Sequence, residues 1–282
     1  MDMDKIEKIV ALLQERGYDA VSHDVIKNGV TKHGISIRES NIAPCIYLDD
    51  LLAKAPDIEL DDLVSEIIKI YENRKSIDID LDAILSRDYI LSHLYIALQR
   101  SSDEPLIKRD CELEGIEEYL LIKGQSVEQG SWSIKLNQGI LDRAEISIDE
   151  AWAAGEANTF APDATVIKSM MDVMNDMFDC DFEEELGNPA IPMYVVSNRT
   201  NTQGAVQVLD KKAITEFAKK HNASKLIILP SSTHEMIIVI PADDEELDIS
   251  QFESMVTDVN ENQVSPEERL TSKAYLLLID EV

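Results

Sequence analysis

Between Leu226 and Pro241 the chain reads Leu-Ile-Ile-Leu-Pro-Ser-Ser-Thr-His-Glu-Met-Ile-Ile-Val-Ile-Pro. Two apolar runs, Leu226–Leu229 and Met236–Ile240, flank a polar turn. Each run is too short for an ordinary helix and too uniformly apolar for a surface strand, so both read as buried neighbouring strands. That pair constrains the rest of the C-terminal half. Met193–Val196 and Gly204–Val208 read as strands before it, and Lys211–Lys220 as a helix with Ala213, Ile214, Phe217 and Ala218 turned inward. A helix begins near Asp248, with Gln251 three residues on. Ser265-Pro266-Glu267-Glu268 has the form of a capping box with Pro at the first helical position. Tyr275–Ile279 reads as a last strand. The order β-β-α-β-β-α-β, with short turns between paired strands, predicts antiparallel pairing with helices on one face.

The first half follows similar rules. Ile6, Ile9, Val10 and Leu13 form one stripe of a helix over 4–16, and Gly17 stops it. Strands are expected over 19–27 and 30–38, joined by Asn28-Gly29, a pair that tolerates the positive φ angles of a tight hairpin. Pro44–Leu48 reads as a third short strand. Leu60, Leu63, Val64, Ile67, Ile68 and Tyr71 make a single apolar face of a helix over 60–73. Tyr89–Gln99, Tyr119–Ile122 and Trp132–Leu136 read as strands, punctuated by Gly115, Gly124, Gly130 and Gly139. Ser147-Ile148-Asp149-Glu150 is a capping box opening a helix over 148–157, and Val166–Phe178 reads as another helix. The fold class is therefore α+β. Two lobes are expected, 1–143 and 144–282, each a small, mainly antiparallel sheet with helices packed on it.

Composition narrows the functional classes. Asp plus Glu is 55 against Lys plus Arg 26 in 282 residues, a formal charge of −29. Such a field repels nucleic-acid phosphates and anionic membranes, so neither is an expected partner, whereas a basic protein is. Cys45, Cys111 and Cys180 are far apart and form no C-x-x-C, so neither a disulfide framework nor a thiolate zinc site is supported. The acidic, amphipathic N-terminus is unlike a signal peptide, and no apolar stretch approaches the roughly 20 residues of a spanning helix. The cytoplasm is the expected compartment.

Ser231, Ser232, His234 and Glu235 form the best polar cluster. A histidine beside hydroxyls could activate a nucleophile, with a carboxylate orienting the ring. Adjacent residues on an extended chain point opposite ways, however, and Ser, Thr and His also satisfy turn amides. His23 and His33 lie on the two arms of the first hairpin and could face each other. No His-Glu-x-x-His occurs and no metal is expected. Asp78-Ile79-Asp80-Leu81-Asp82 imitates a calcium loop but has Ala83 where the turn needs Gly and Tyr89 where the bidentate Glu belongs. Met170, Met171, Met174 and Met177 make a Met-rich helix that reads as core, or as an adaptable groove. Asp179, Asp181, Glu183, Glu184 and Glu185 lie in an acidic loop that could dock a basic partner. There is no Gly-x-x-x-x-Gly-Lys-Ser/Thr and no Gly-x-Gly-x-x-Gly, so no nucleotide cofactor is expected.

Asn28-Gly29-Val30, Ile35–Arg38, Asn41–Pro44 and Ile46–Leu48 resemble the N-terminal signature of a family of uncharacterised proteins from Gram-positive anaerobes. Tyr194–Asn198, Gly204-Ala205, Ile228–Glu235, Val259-Asn260 and Pro266–Glu268 resemble its C-terminal signature. That family is known only as a domain of unknown function and is similar to the YtpQ-like proteins. The resemblance implies a cytoplasmic bacterial protein, often associated with mobile elements, and brings no activity, cofactor or catalytic residue. Two functional readings follow. One is a non-enzymatic binding or regulatory protein, with an anti-defence, nucleic-acid-mimicking decoy as a subtype. The alternative is a hydrolase using the Ser231–Glu235 cluster.

Overall fold

The computed structural model describes residues 3–38, 45–74, 80–126, 130–178, 191–241 and 248–279. The chain divides into two compact units, Met1–Ser86 with Ser126–Gly130, and Arg87–Gln125 with Ser131–Val282.

In the first unit, α1 (Met3–Glu15) buries Ile6, Ile9 and Leu13 on one stripe and ends before Gly17, whose φ is +91°. Strands β1 (Ala20–Lys27) and β2 (Val30–Ile37) form an antiparallel hairpin, and β3 (Ile46–Tyr47) adds to β2. Asn28 and Gly29 have φ of 49° and 75°. Both central residues of the two-residue loop are thus left-handed, which matches the twist of the strands they join. Helices α2 (Leu48–Lys54), α3 (Leu60–Arg74) and α4 (Leu81–Ile84) follow. Leu63, Val64, Ile67 and Tyr71 of α3 meet Ile9, Leu13, Ile35 and Ile37 in one core. Each fully buried leucine or isoleucine contributes about 1.5–3 kcal/mol. The hairpin register pairs His23 with Gly34 and His33 with Asp24. Cross-strand partners share a face and neighbours along a strand do not, so the two histidines lie on opposite faces. His33 instead meets Asp49, through its amide at 2.6 Å and its Nδ1 at 3.2 Å. Asp80 is the N-cap of α4, accepting from the Ala83 amide at 3.1 Å.

The second unit opens with α5 (Arg87–His93) and β4 (Leu94–Arg100), followed by β5 (Lys108–Asp110), β6 (Ile116–Ser126) and β7 (Gly130–Lys135). These strands form a sheet in the order β4-β6-β5, with β7 also on β6. Residues 89–93, expected as strand, are helix, with Ile90 buried. β5 escaped notice because Lys-Arg-Asp carries no apolar alternation. Next come α6 (Gln138–Ala144) and α7 (Ile148–Thr159). Ser147 caps α7 by accepting from the Glu150 amide.

A five-stranded antiparallel sheet completes the unit, in the order β12-β10-β11-β9-β8. Its strands are β8 (Thr165–Ser169), β9 (Met193–Asn198), β10 (Lys225–Pro230), β11 (Met236–Val239) and β12 (Tyr275–Leu278). The helix expected over 166–178 is therefore β8 followed by α8 (Met170–Phe178). Thr165, Val166 and Ile167 suit a pleated edge better than a helix. Ala205–Leu209 is a 3₁₀ helix rather than the expected strand. β9 already has β11 and β8 as neighbours, so that segment has no place beside β9. Helices α9 (Lys211–Lys220) and α10 (Ile249–Gln263) carry Asp210 and Asp248 as N-caps. Ser265–Glu268 makes a single turn, in which the Ser265 hydroxyl donates to the Glu268 carboxylate at 2.8 Å.

One face of the five-stranded sheet and one face of the β4–β7 sheet share a core that includes Ile96, Leu120, Val196, Phe217, Ile228 and Ile238. The other face of the larger sheet is covered by Val256 and Phe252 of α10 over Ile227, Leu229 and Val239. The expected division at 143/144 falls at the end of α6, inside this shared core, and the chain divides instead between Ser86 and Arg87. No helix among the described residues is long and apolar enough to cross a membrane.

Candidate functional site

The polar turn between β10 and β11 is closed by its own groups. The Ser232 amide donates to the Glu235 carbonyl at 3.1 Å, and the His234 amide donates to Ser232 Oγ at 3.0 Å. Ser231 Oγ donates to Glu235 Oε1 at 3.4 Å. The His234 ring turns away from both serines. Its Nδ1 accepts from the Gln203 amide at 3.0 Å, which leaves the proton on Nε2, 3.2 Å from Glu268 Oε1. A hydroxyl nucleophile needs its base within roughly 2.6–3.2 Å, and both ring nitrogens here have other partners. The structure therefore joins Ser231 to Glu235 and His234 to Glu268, and joins neither serine hydroxyl to the imidazole.

His234 anchors the segment after β9. Its carbonyl accepts from Ser197 Oγ at 2.7 Å and from the Gly204 amide at 3.0 Å. A Cβ on Gly204 would lie 2.2 Å from Ser197 Oγ and 2.6 Å from the Asn198 nitrogen, so only glycine fits this approach. Asn198 Oδ1 accepts from the Thr200 amide, the Thr200 hydroxyl and the Thr202 amide. Asn201 and Gln203 have φ of 49° and 50°. Two non-glycine residues in the left-handed region cost about 1–3 kcal/mol each unless their surroundings hold them, as these bonds do.

That segment lines a cleft of about 940 Å³ within the second unit. Tyr89 and His93 of α5 contribute to it with their rings stacked, centroids 3.9 Å apart and planes within 4°. The Trp132 indole of β7 is nearly parallel to Tyr89, at 11° and 6.4 Å. It lies flat on Gly124 of β6, where a Cβ would come within 2.0 Å of the indole. Lys123, next in the chain, also lines the cleft. Its ammonium lies 5.2 Å from the centre of the Tyr95 ring and 3.5 Å from the Thr202 carbonyl. Burial holds its pKa down to about 8. Arg199 lies at the rim, 69% exposed, with its Nε donating to the Asp163 carbonyl. Among the described residues no Asp or Glu lines the cleft, in a chain with 55 of them. Gln203 Oε1 is buried there with no hydrogen-bond partner among the described residues, whereas nearby Gln207 is bonded to Thr165 and Thr159.

A second polar cluster, on β4 and β6, satisfies itself. Glu117 accepts from Gln99 at 2.7 Å, from Ser102 at 2.9 Å and from Lys108 at 3.2 Å. Burial alone would raise its pKa, yet those three bonds hold it below the usual carboxylate value. Lys135 bridges Gln99 and Glu104 beside it.

Of the other expected sites, Asp179, Asp181, Glu183, Glu184 and Glu185 lie outside the described residues. The Met-rich stripe lies on α8 with Met170, Met171 and Met174 half-buried and Met177 72% exposed. Among the described residues no group of three or more His, Cys, Asp or Glu could hold a metal ion. Lys123, Trp132 and Gln203 went unnoticed in the sequence. They are up to 80 positions apart, and the nearest local signal, Gly124, reads as turn punctuation rather than as a seat for an indole.

Neither a curated protein nor a solved structure matches the chain. The profile of a family of unknown function, DUF5688, matches residues 3–277. With nearly its whole length covered, the chain belongs to that family of unknown function.

Proposed function

We propose that this protein is a non-enzymatic binding or regulatory protein whose acidic surface engages a basic protein partner. The observation that carries this is the formal charge of −29 on 282 residues. Such a field draws a cationic partner at rates that salt suppresses, and it repels nucleic acid directly. In the bacterial, cytoplasmic and mobile-element setting that the YtpQ-like resemblance implies, the partner is a nucleic-acid-handling protein and this chain its decoy, serving anti-defence. The alternative, a hydrolase built on Ser231, Ser232, His234 and Glu235, is less favoured because both His234 ring nitrogens are engaged by Gln203 and Glu268.

The test is affinity capture from the native host, followed by titration of the purified partner at rising salt. A basic partner should lose about tenfold or more in affinity between roughly 50 and 500 mM salt. Salt-independent binding, or a partner that is not basic, overturns the reading. A hydrolytic activity abolished in a folded His234→Ala variant would establish the alternative.

A further inference from the structure

We propose that the cleft in the second unit is a binding site for a nucleoside monophosphate, with the base against the Tyr89–Trp132 wall and the phosphate at Lys123. This goes beyond the acidic-surface reading and does not depend on it.

Two independent features converge on that ligand. The first is charge. In a chain where about one residue in five is acidic, a cleft of this size with a half-buried ammonium and no carboxylate among the described residues selects an anion. Among the described residues Lys123 has no carboxylate partner, whereas Arg199 has Asp163 at 3.9 Å. One buried ammonium, with no glycine-rich loop to cradle a polyphosphate, suits a single phosphate. The second feature is shape. Near-parallel aromatic rings at Tyr89, His93 and Trp132 line the cleft, and stacking a base on an aromatic ring is worth roughly 1–3 kcal/mol. The left-handed Asn201 and Gln203 put backbone strain in the segment that lines the cleft, and strain of this kind concentrates at ligand clamps. The volume, about 940 Å³, accommodates a ligand of this size.

The experiment is calorimetric titration of the full chain with AMP, GMP, CMP and UMP, with the corresponding nucleosides and inorganic phosphate as separate arms. At least one monophosphate should bind one-to-one with a dissociation constant below about 1 mM. Its nucleoside and free phosphate should each bind at least about tenfold more weakly. Lys123→Met should weaken the nucleotide about tenfold or more while leaving the nucleoside unchanged. A Trp152→Phe chain retains Trp132 as its one tryptophan, and its fluorescence should be quenched on saturation, which locates the ligand without any change at Lys123. No binding by any of the four, equal affinity for nucleoside and nucleotide, or binding without a Trp132 response each overturns the proposal.

Discussion

Lys123 brings a positive charge into a half-buried position with no carboxylate beside it among the described residues. The titratable and charged groups facing it across the cleft are Tyr89 and His93 of α5, Tyr95 of β4 and Arg199 after β9. None of them is an acid that would restore its pKa. Burial lowers the folded value to about 8, from an ordinary 10.5. Below pH 8 both folded and unfolded chains hold the proton, and the full desolvation cost is present. Between about 8 and 10.5 the unfolded chain keeps the proton and the folded chain releases it, so this residue's contribution to stability improves as pH rises. Lys123→Met should therefore stabilise the free protein at pH 7 by about 1–3 kcal/mol, with the gain shrinking toward pH 10. Urea denaturation of both chains at the two pH values measures this. A Met variant less stable at pH 7 would mean that the ammonium has a partner stronger than the Thr202 carbonyl.

At the scale of elements, the clearest strain is where β9 leaves the sheet. Gly204 sits between Ser197, Asn198 and the His234 carbonyl with no space for a methyl group. Two of those neighbours are backbone atoms, which cannot swing aside. Gly204→Ala should cost about 1–3 kcal/mol in equilibrium unfolding. An unchanged midpoint would mean that the segment after β9 can move without loss. The paired apolar runs were legible because each carries its own pattern, and so were the helices with a clear apolar stripe or an N-cap. The failures share one cause. Val166–Ser169 and Ala205–Val208 have apolar residues compatible with helix or strand. Which they became depended on whether a sheet edge was open, and β8 took the place beside β9.

For the whole molecule, the dominant electrostatic fact is self-repulsion. Ion pairs such as Arg16–Asp61 and Arg109–Glu118 use cations already counted in the −29, which is the excess of 55 acids over 26 Lys and Arg. Raising sodium chloride from about 10 to 500 mM shortens the Debye length from roughly 30 Å to under 5 Å, which screens repulsion between distant acids more than close pairs. The melting temperature should rise across that series. A fall would show that the ion pairs, not the repulsion, govern stability. Each unit has its own core: one is built by α1, the β1–β2 hairpin and α3, the other by the two sheets of the second unit.

Periodicity, capping residues and the Asn28-Gly29 turn, all local, determined the α+β class, most elements and the antiparallel pairing of β1 with β2 and β10 with β11. Net charge, a sum over residues, determined the sign of the field around the molecule. Tertiary structure alone decided the unit boundary and the partners of the His234 ring, which are the Gln203 backbone amide and Glu268 rather than either serine hydroxyl. It alone assembled the cleft as well. Lys123, Trp132 and Gln203 are each unremarkable along the chain, and only the packing of α5, β6 and β7 with the segment after β9 places them around one space. Local sequence encodes backbone preference and burial, whereas a site depends on distances between residues that have no pattern in common.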